Sequence, residues 1–149
     1  MGRYIGLDYG SKTVGVAVSD PLKTFASPHS TIFREREGKI RDTLRQIAVL
    51  CREMEAEMVV VGLPLNMDGT TGERARKSLE FAENLRHRLC AEGITVPVEM
   101  CDERLTTVEA SEILTESGIK KSSMKEYVDS VAASIILGEY MKQTENRKG

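Results

Sequence analysis

The sequence predicts an α/β domain on a five-stranded mixed sheet, order 3-2-1-4-5, with strand 2 antiparallel to the rest and helices flanking it. Three observations predict it. The first 33 residues hold short apolar runs separated by turn signals. Beyond Ile40 the apolar period changes to threes and fours, and from there helical segments alternate with single short strands. At 149 residues and 40% apolar, the chain is expected to build one core in one domain over 1–141. No repeat, low-complexity tract or linker divides it, and 142–149 reads as a frayed, flexible tail.

Residues 3–8 and 13–19 are apolar runs joined by Tyr9-Gly10-Ser11-Lys12, a glycine-containing connection suited to a hairpin. Val14, Val16 and Val18 alternate with Gly15 and Ala17, and nothing polar intervenes, so this strand is expected to be covered on both faces. A third strand, 24–33, follows the turn signal Asp20-Pro21. Ile40, Leu44, Ile47, Cys51 and Met54 mark an amphipathic helix. A buried strand at 58–61 ends in Gly62-Leu63-Pro64. Thr70 and Glu73 stand in capping-box register ahead of a second helix, with Ala75, Leu79, Ala82, Leu85 and Leu89 on one face. The fifth strand, 96–101, has Pro97 near its start, which suits a sheet edge. Capping boxes of Thr106 with Glu109 and Ser123 with Glu126 open a short helix and a longer one running to about Met141. Hairpins lay the first three strands side by side. Right-handed crossovers then put the fourth beside the first and the fifth beyond it. That is the ribonuclease H-like topology.

Charged residues make up 30% of the chain and the net charge is -2, which excludes a polycation that coats nucleic acid by charge alone. A nucleic-acid site must be a local patch. The uncharged stretch 130–138 falls well short of the roughly 20 residues a membrane span requires, so no membrane partner is expected. Met1-Gly2-Arg3-Tyr4 carries no apolar leader, and Gly6 stands where a myristoylation signal would want Ser or Thr. Cys51, Cys90 and Cys101 are odd in number and widely spaced, against a disulfide framework or thiolate zinc site and in keeping with a cytoplasmic location.

In this topology strands 1, 4 and 5 end at one edge of the sheet, outside which open α/β sheets bind their ligands. Asp8 ends the first strand, Asp102-Glu103 follow the fifth, and Asp129 lies about a turn and a half into the last helix. Ala132 and Ala133, its i+3 and i+4 neighbours, would let that helix come close to the sheet. Taken singly, Asp8 reads as a turn residue, Asp102-Glu103-Arg104 as a solvated strand end and Asp129 as a helix-surface acid. The topology gathers all three. Convergent carboxylates repel and need protons or a cation; their hard oxygens suit Mg²⁺ or Mn²⁺. A pair of such ions can activate a water and stabilise the leaving oxygen of a phosphodiester. Across two strand spacings, about 9–10 Å, Glu103 reaches Asp8 more easily than Asp102 does. Alternation points those two to opposite faces, so one of them is not expected to be a ligand.

Four blocks resemble the YqgF family of pre-16S rRNA nucleases, also called Holliday-junction-resolvase-like proteins: Gly6-Leu7-Asp8-Tyr9-Gly10-Ser11-Lys12-Thr13-Val14-Gly15-Val16-Ala17, Val61-Gly62-Leu63-Pro64-Leu65-Asn66-Met67-Asp68-Gly69-Thr70, Asp102-Glu103-Arg104-Leu105-Thr106-Thr107 and Asp129-Ser130-Val131-Ala132-Ala133. Their order and spacing match from about Arg3 to Met141. The resemblance implies a cytoplasmic, ribonuclease H-like protein that helps mature the 5′ end of 16S rRNA. It also implies a metal-dependent catalytic site at Asp8, Asp102/Glu103 and Asp129. True junction resolvases place an acid at the end of strand 4, whereas here that strand ends Gly62-Leu63-Pro64. The expected ligand set is Asp8 bridging the ions, Glu103 or Asp102 holding one, and Asp129 completing the shell. In-line attack of water would leave a 5′-phosphate and a 3′-hydroxyl.

A nuclease of acidic pI needs cations at its catalytic edge. Lys12 in the first loop and Arg104 beside the acids are expected to touch substrate, with Lys120, Lys121 and Lys125 approaching from the loop before Asp129. Asn66 and Thr106, within the matching blocks, are further substrate-binding candidates. Arg74 is another cation after the Asn66 loop, while Arg76 and Lys77 read as solubilising surface. Segment 117–122 has no core pattern and is expected to stay mobile until RNA arrives. With four Tyr, three Phe and no Trp, a base-stacking platform is not expected to dominate binding; Tyr9 and Tyr127 alone lie near the acids. His29 and His87 lie away from them and read as structural or surface residues. The expected partner is an rRNA precursor or branched DNA, bound by a monomer or weak homodimer. The rival readings are a DNA junction resolvase, which needs a symmetric dimer, and a non-catalytic RNA-binding assembly factor. An actin-like nucleotide-binding module would need a second lobe.

Overall fold

The computed structural model of the chain describes residues 2–102 and 121–148, with the side chains of the last helix described over 128–144. Its elements are β1 (Tyr4–Tyr9), β2 (Thr13–Ser19), β3 (Ala26–Phe33), α1 (Arg41–Glu53), β4 (Met58–Leu63), α2 (Glu73–Ala91), β5 (Val98–Asp102) and α3 (Lys121–Lys148). The sheet has the expected order, β3-β2-β1-β4-β5. β2 runs antiparallel to β1 and β3, and β4 runs parallel to β1 and β5.

Alternation divides the strands between two cores. Ile5, Leu7, Val16, Val59 and Val61 point to the face covered by α1 and α2, where Ile47, Phe81 and Leu85 meet them. Ala17, Val60 and Cys101 point to the face covered by α3, against Ala133, Ile136 and Leu137. β2 is buried along nearly its whole length, as its unbroken apolar run requires. β3 is an edge strand. Its register slips by one residue opposite Val16 and Ala17, beside Pro28, which has no N–H to give to the ladder. At the other edge Pro97 precedes β5, and its carbonyl still accepts the Val59 N–H at 3.0 Å.

Four sequence expectations are corrected. Gly72, in extended conformation, is the N-cap of α2. Thr70 instead closes the preceding loop, taking its hydrogen bonds with Asp68 and Asn66. Leu79 is 41% exposed while Phe81 is 1% exposed. The buried stripe of α2 runs through Ala75, Ser78, Phe81, Ala82, Leu85 and Leu89, because 75, 78, 82, 85 and 89 follow the helical period and 79 falls beside it. α3 is already helical at Lys121, so Ser123 is interior to it and Asp129 lies more than two turns in. The same helix does not end at about Met141 but continues to Lys148. The capping box of Thr106 with Glu109 lies outside the described residues.

Candidate active site

Asp8 owes its position to the pleat. Ile5, Leu7 and Tyr9 face the α1–α2 core, so Gly6 and Asp8 face α3. Asp8 pairs with Gly15 of β2. A Cβ at Gly15 would stand 1.9 Å from the Asp129 carbonyl oxygen, so the α3 backbone rests directly on the strand beside Asp8. A Cβ at Gly6 would meet Leu137 Cβ at 2.7 Å and the Ala133 oxygen at 2.9 Å. Glycines on the strands and alanines on the helix together allow this approach; the sequence reading had only the alanines. Thr13, on the same face as Gly15, donates its hydroxyl to Asp129 Oδ2 at 2.7 Å. Asp8 and Asp129, far apart in sequence, thus come to one face at the carboxyl end of β1.

Asp102 ends β5 opposite Leu63. Cys101 packs in the α3-side core and Met100 against the other, so alternation sets Asp102 on the α1–α2 face, away from Asp8. Of the three expected carboxylate positions, the structure brings two together and turns Asp102 aside. Glu103 lies outside the described residues. Among the described residues no group of three or more His, Cys, Asp or Glu is placed to hold a metal ion. Asp8 and Asp129 do supply the right donors, hard oxygens, and the Thr13 hydroxyl engages one oxygen of Asp129.

Lys12 is exposed in the β1–β2 loop. Its carbonyl accepts the Arg34 N–H at 2.7 Å. Asn66 is in the loop after β4, where its side-chain amide donates to Thr70 Oγ1 at 3.0 Å, so it shapes that loop. Lys125 and Lys121 precede Asp129 by one and two turns of α3, with their side chains outside the described part. Arg104, Thr106 and Lys120 lie outside the described residues, as does most of segment 117–122. Arg76 pairs with Glu80 on the exposed face of α2, whereas Arg74 and Lys77 both meet Glu37. His29 and His87 are exposed and partner Ser30 and Glu83, as surface residues. Tyr9 turns away from Asp8 and stacks on Phe81 with ring centroids 4.4 Å apart; burial pushes its phenol above the ordinary 10.0 despite the opposing pull of Arg34.

Sequence reasoning missed three groups here. Thr13 and Gly15 were legible only as a strand start and a strand interior. Arg34 followed an edge strand and carried no motif. It is buried over the Tyr9 ring, and its Nη2 donates to the Gly10 carbonyl. Burial pushes its pKa below the usual arginine value.

The profile of the RuvX family, described as Holliday junction resolvase, matches residues 2–143. A protein of Lachnospira eligens is 46% identical over 143 residues, covering 96% of this chain and 99% of its own length. One of Agathobacter rectalis is 42% identical over 146 residues, covering 98% and 99%. Both are named as candidate pre-16S rRNA nucleases. Among solved structures, Thermus thermophilus RuvC in complex with Holliday junction substrate superposes with TM-score 0.56 at 15% identity, over 100% of this chain and 97% of that one. The yeast mitochondrial Holliday junction resolvase superposes with TM-score 0.55 at 11% identity, over 99% and 80%. These two share the fold. With a profile matched over nearly its whole length and relatives above 40% identical over nearly theirs, the chain belongs to the RuvX (YqgF) family.

Proposed function

We propose that this protein hydrolyses phosphodiester bonds as a divalent-metal-dependent nuclease of structured RNA, with the 5′ region of pre-16S rRNA as its substrate, in the cytoplasm. The observation that carries the reading is the seating of the Asp129 backbone on Gly15, the residue paired with Asp8. It gives a family of named nucleases two acids at the sheet edge where such chemistry belongs. Asp8 and Asp129 are proposed as metal-holding residues with Glu103 as the third, since Asp102 lies on the other face. Mg²⁺ or Mn²⁺ bound there supplies charge neutralisation for the phosphate and the leaving oxygen. Thr13 holds Asp129 in one orientation. Lys12, Asn66, Arg104, Thr106, Lys120, Lys121 and Lys125 are proposed to bind the substrate strand. Among the described residues no helix is long and apolar enough to cross a membrane.

Asp8→Asn should abolish cleavage of a pre-16S rRNA fragment while leaving circular dichroism and Tm unchanged. Wild-type turnover in that variant, free of contaminating nuclease, would remove the site. EDTA should stop the reaction and Mg²⁺ or Mn²⁺ restore it. The family description favours a second reading, cleavage of four-way DNA junctions. Matched assays on RNA precursors and junctions separate the two.

A further inference from the structure

Beneath the β1–β2 hairpin, on the opposite face from Asp8, three cations crowd one carboxylate. The Arg34 guanidinium lies 4.7 Å from the centre of the Tyr9 ring and that of Arg74 lies 5.7 Å from the same ring. Glu37 accepts from Arg74 at 2.9 Å and from Lys77 at 2.5 Å. The exposed Glu73 stands 3.9 Å from Lys77 at the rim. One well-placed carboxylate does not neutralise three cations. The imbalance shows in the hydrogen bonds as well. Arg34 is only 7% exposed, and among the described residues its Nε and Nη1, with Arg74 Nη2, are buried donors without an acceptor. Buried charged donors are costly to leave unpaired, and their persistence here calls for an anion.

The cluster is tied to the acids through one loop. Arg34 donates to the carbonyls of Gly10 and Lys12, and the loop they belong to exposes Lys12 and ends at Thr13, the partner of Asp129. A cleft of about 310 Å³ opens beside the cluster; of the three cations only Lys77 lines it, together with the carboxylates of Glu37 and Glu80.

We propose that Arg34, Arg74 and Lys77 form a subsite for a non-scissile phosphodiester of the strand being cut, with Glu37 as the resident counter-ion that the phosphate displaces. The proposal rests on the nuclease reading above. Arg74 and Lys77, with side chains 41% and 31% exposed, turn to meet the phosphate. Arg34 keeps its Nη2 and backbone N–H on the loop and gives the same phosphate one of its unpaired donors, Nε or Nη1.

The test is fluorescence anisotropy with a fluorescein-labelled single-stranded RNA in EDTA, so that nothing is cut, over a series of KCl concentrations. Arg74→Gln should weaken binding at every salt concentration and reduce the slope of log K against log[salt] by about 0.7, the value of one phosphate contact on a single strand. Glu37→Gln, which frees both cations, should tighten binding, while the charge-matched Glu83→Gln on the exposed face of α2 should not. An Arg74→Gln protein of native Tm with unchanged slope overturns the subsite. So does a Glu37→Gln protein that binds no tighter than Glu83→Gln, or a wild-type chain with no salt-dependent RNA binding. Cleavage by Asp8→Asn is read separately, so the nuclease reading and the subsite fail on different measurements.

Discussion

Replacing the Thr13 hydroxyl by a methyl in Thr13→Val leaves Asp129 Oδ2 without the donor that holds it at 2.7 Å. A hydrogen bond to a charged acceptor contributes about 1.5–3 kcal/mol, and loss of a group that orients a metal-holding side chain costs about 10–100-fold in activity or metal affinity. Thr13→Val should therefore lower the urea midpoint and slow RNA cleavage within that range, with Thr13→Ser restoring both. Equal turnover of the Val and Ser proteins would show that Asp129 needs no fixing. Asp20 gives a pH test at the same scale. Local desolvation pushes its carboxyl up, but hydrogen bonds from Phe25 and Thr24 outweigh this and hold it at about 2 against an ordinary 3.8. Because the folded value is the lower one, its contribution to stability is complete above 3.8 and is lost as pH falls through about 2. Asp20→Asn should lower Tm at neutral pH, and the difference from wild type should close across that window. A difference that persists unchanged down to pH 2 contradicts the assignment. Asp8 was legible as a candidate because it lies at the carboxyl end of the first strand, and Asp129 because the small residues Ala132 and Ala133 follow it on the last helix. Thr13 was not, since its role depends on a helix more than a hundred residues away.

α3 approaches the sheet closely where two strand positions beneath it, Gly6 and Gly15, have no side chain. In Gly15→Ala the new methyl would stand 1.9 Å from a backbone carbonyl that has no rotamer to move. At Gly6 the conflict is 2.7 Å, with a leucine Cβ. Overpacking costs about 1–3 kcal/mol and sometimes more, so Gly15→Ala should be the more destabilising by chemical denaturation and should also lose cleavage, since it lifts Asp129 away. Gly6→Ala proving the worse of the two would mean the helix pivots about Asp129. α2 provides a second element-scale test. Phe81→Ala should cost about 3–5 kcal/mol, while Leu79→Ala should be close to neutral, the reverse of what the sequence pattern implied. That pattern counted apolar residues at spacings of three and four, and two registers of α2 satisfy such a count. Contact with the sheet selects the one through Phe81.

Over the whole molecule, burial sorts the three thiols. Cys51 and Cys101 are buried and Cys90 is exposed, and desolvation pushes the Cys51 thiol up to about 11. The native protein should yield one rapidly reacting thiol with Ellman's reagent and three in denaturant; two or more fast native thiols would contradict the two-faced packing of the sheet. Strand number, sheet order and the covered central strand were determined by the sequence alone, because hydrophobic period, turn residues and the handedness of crossovers are local or chain-order properties. The sequence also named Asp8 and Asp129, which the fold places on one face of the sheet. Which glycines admit the helix, which face Asp102 takes, how Thr13 engages Asp129 and where Arg34 is buried were decided only by the tertiary structure. Each depends on the pleat phase of one strand against a surface distant in sequence, and no local pattern of residues encodes that phase.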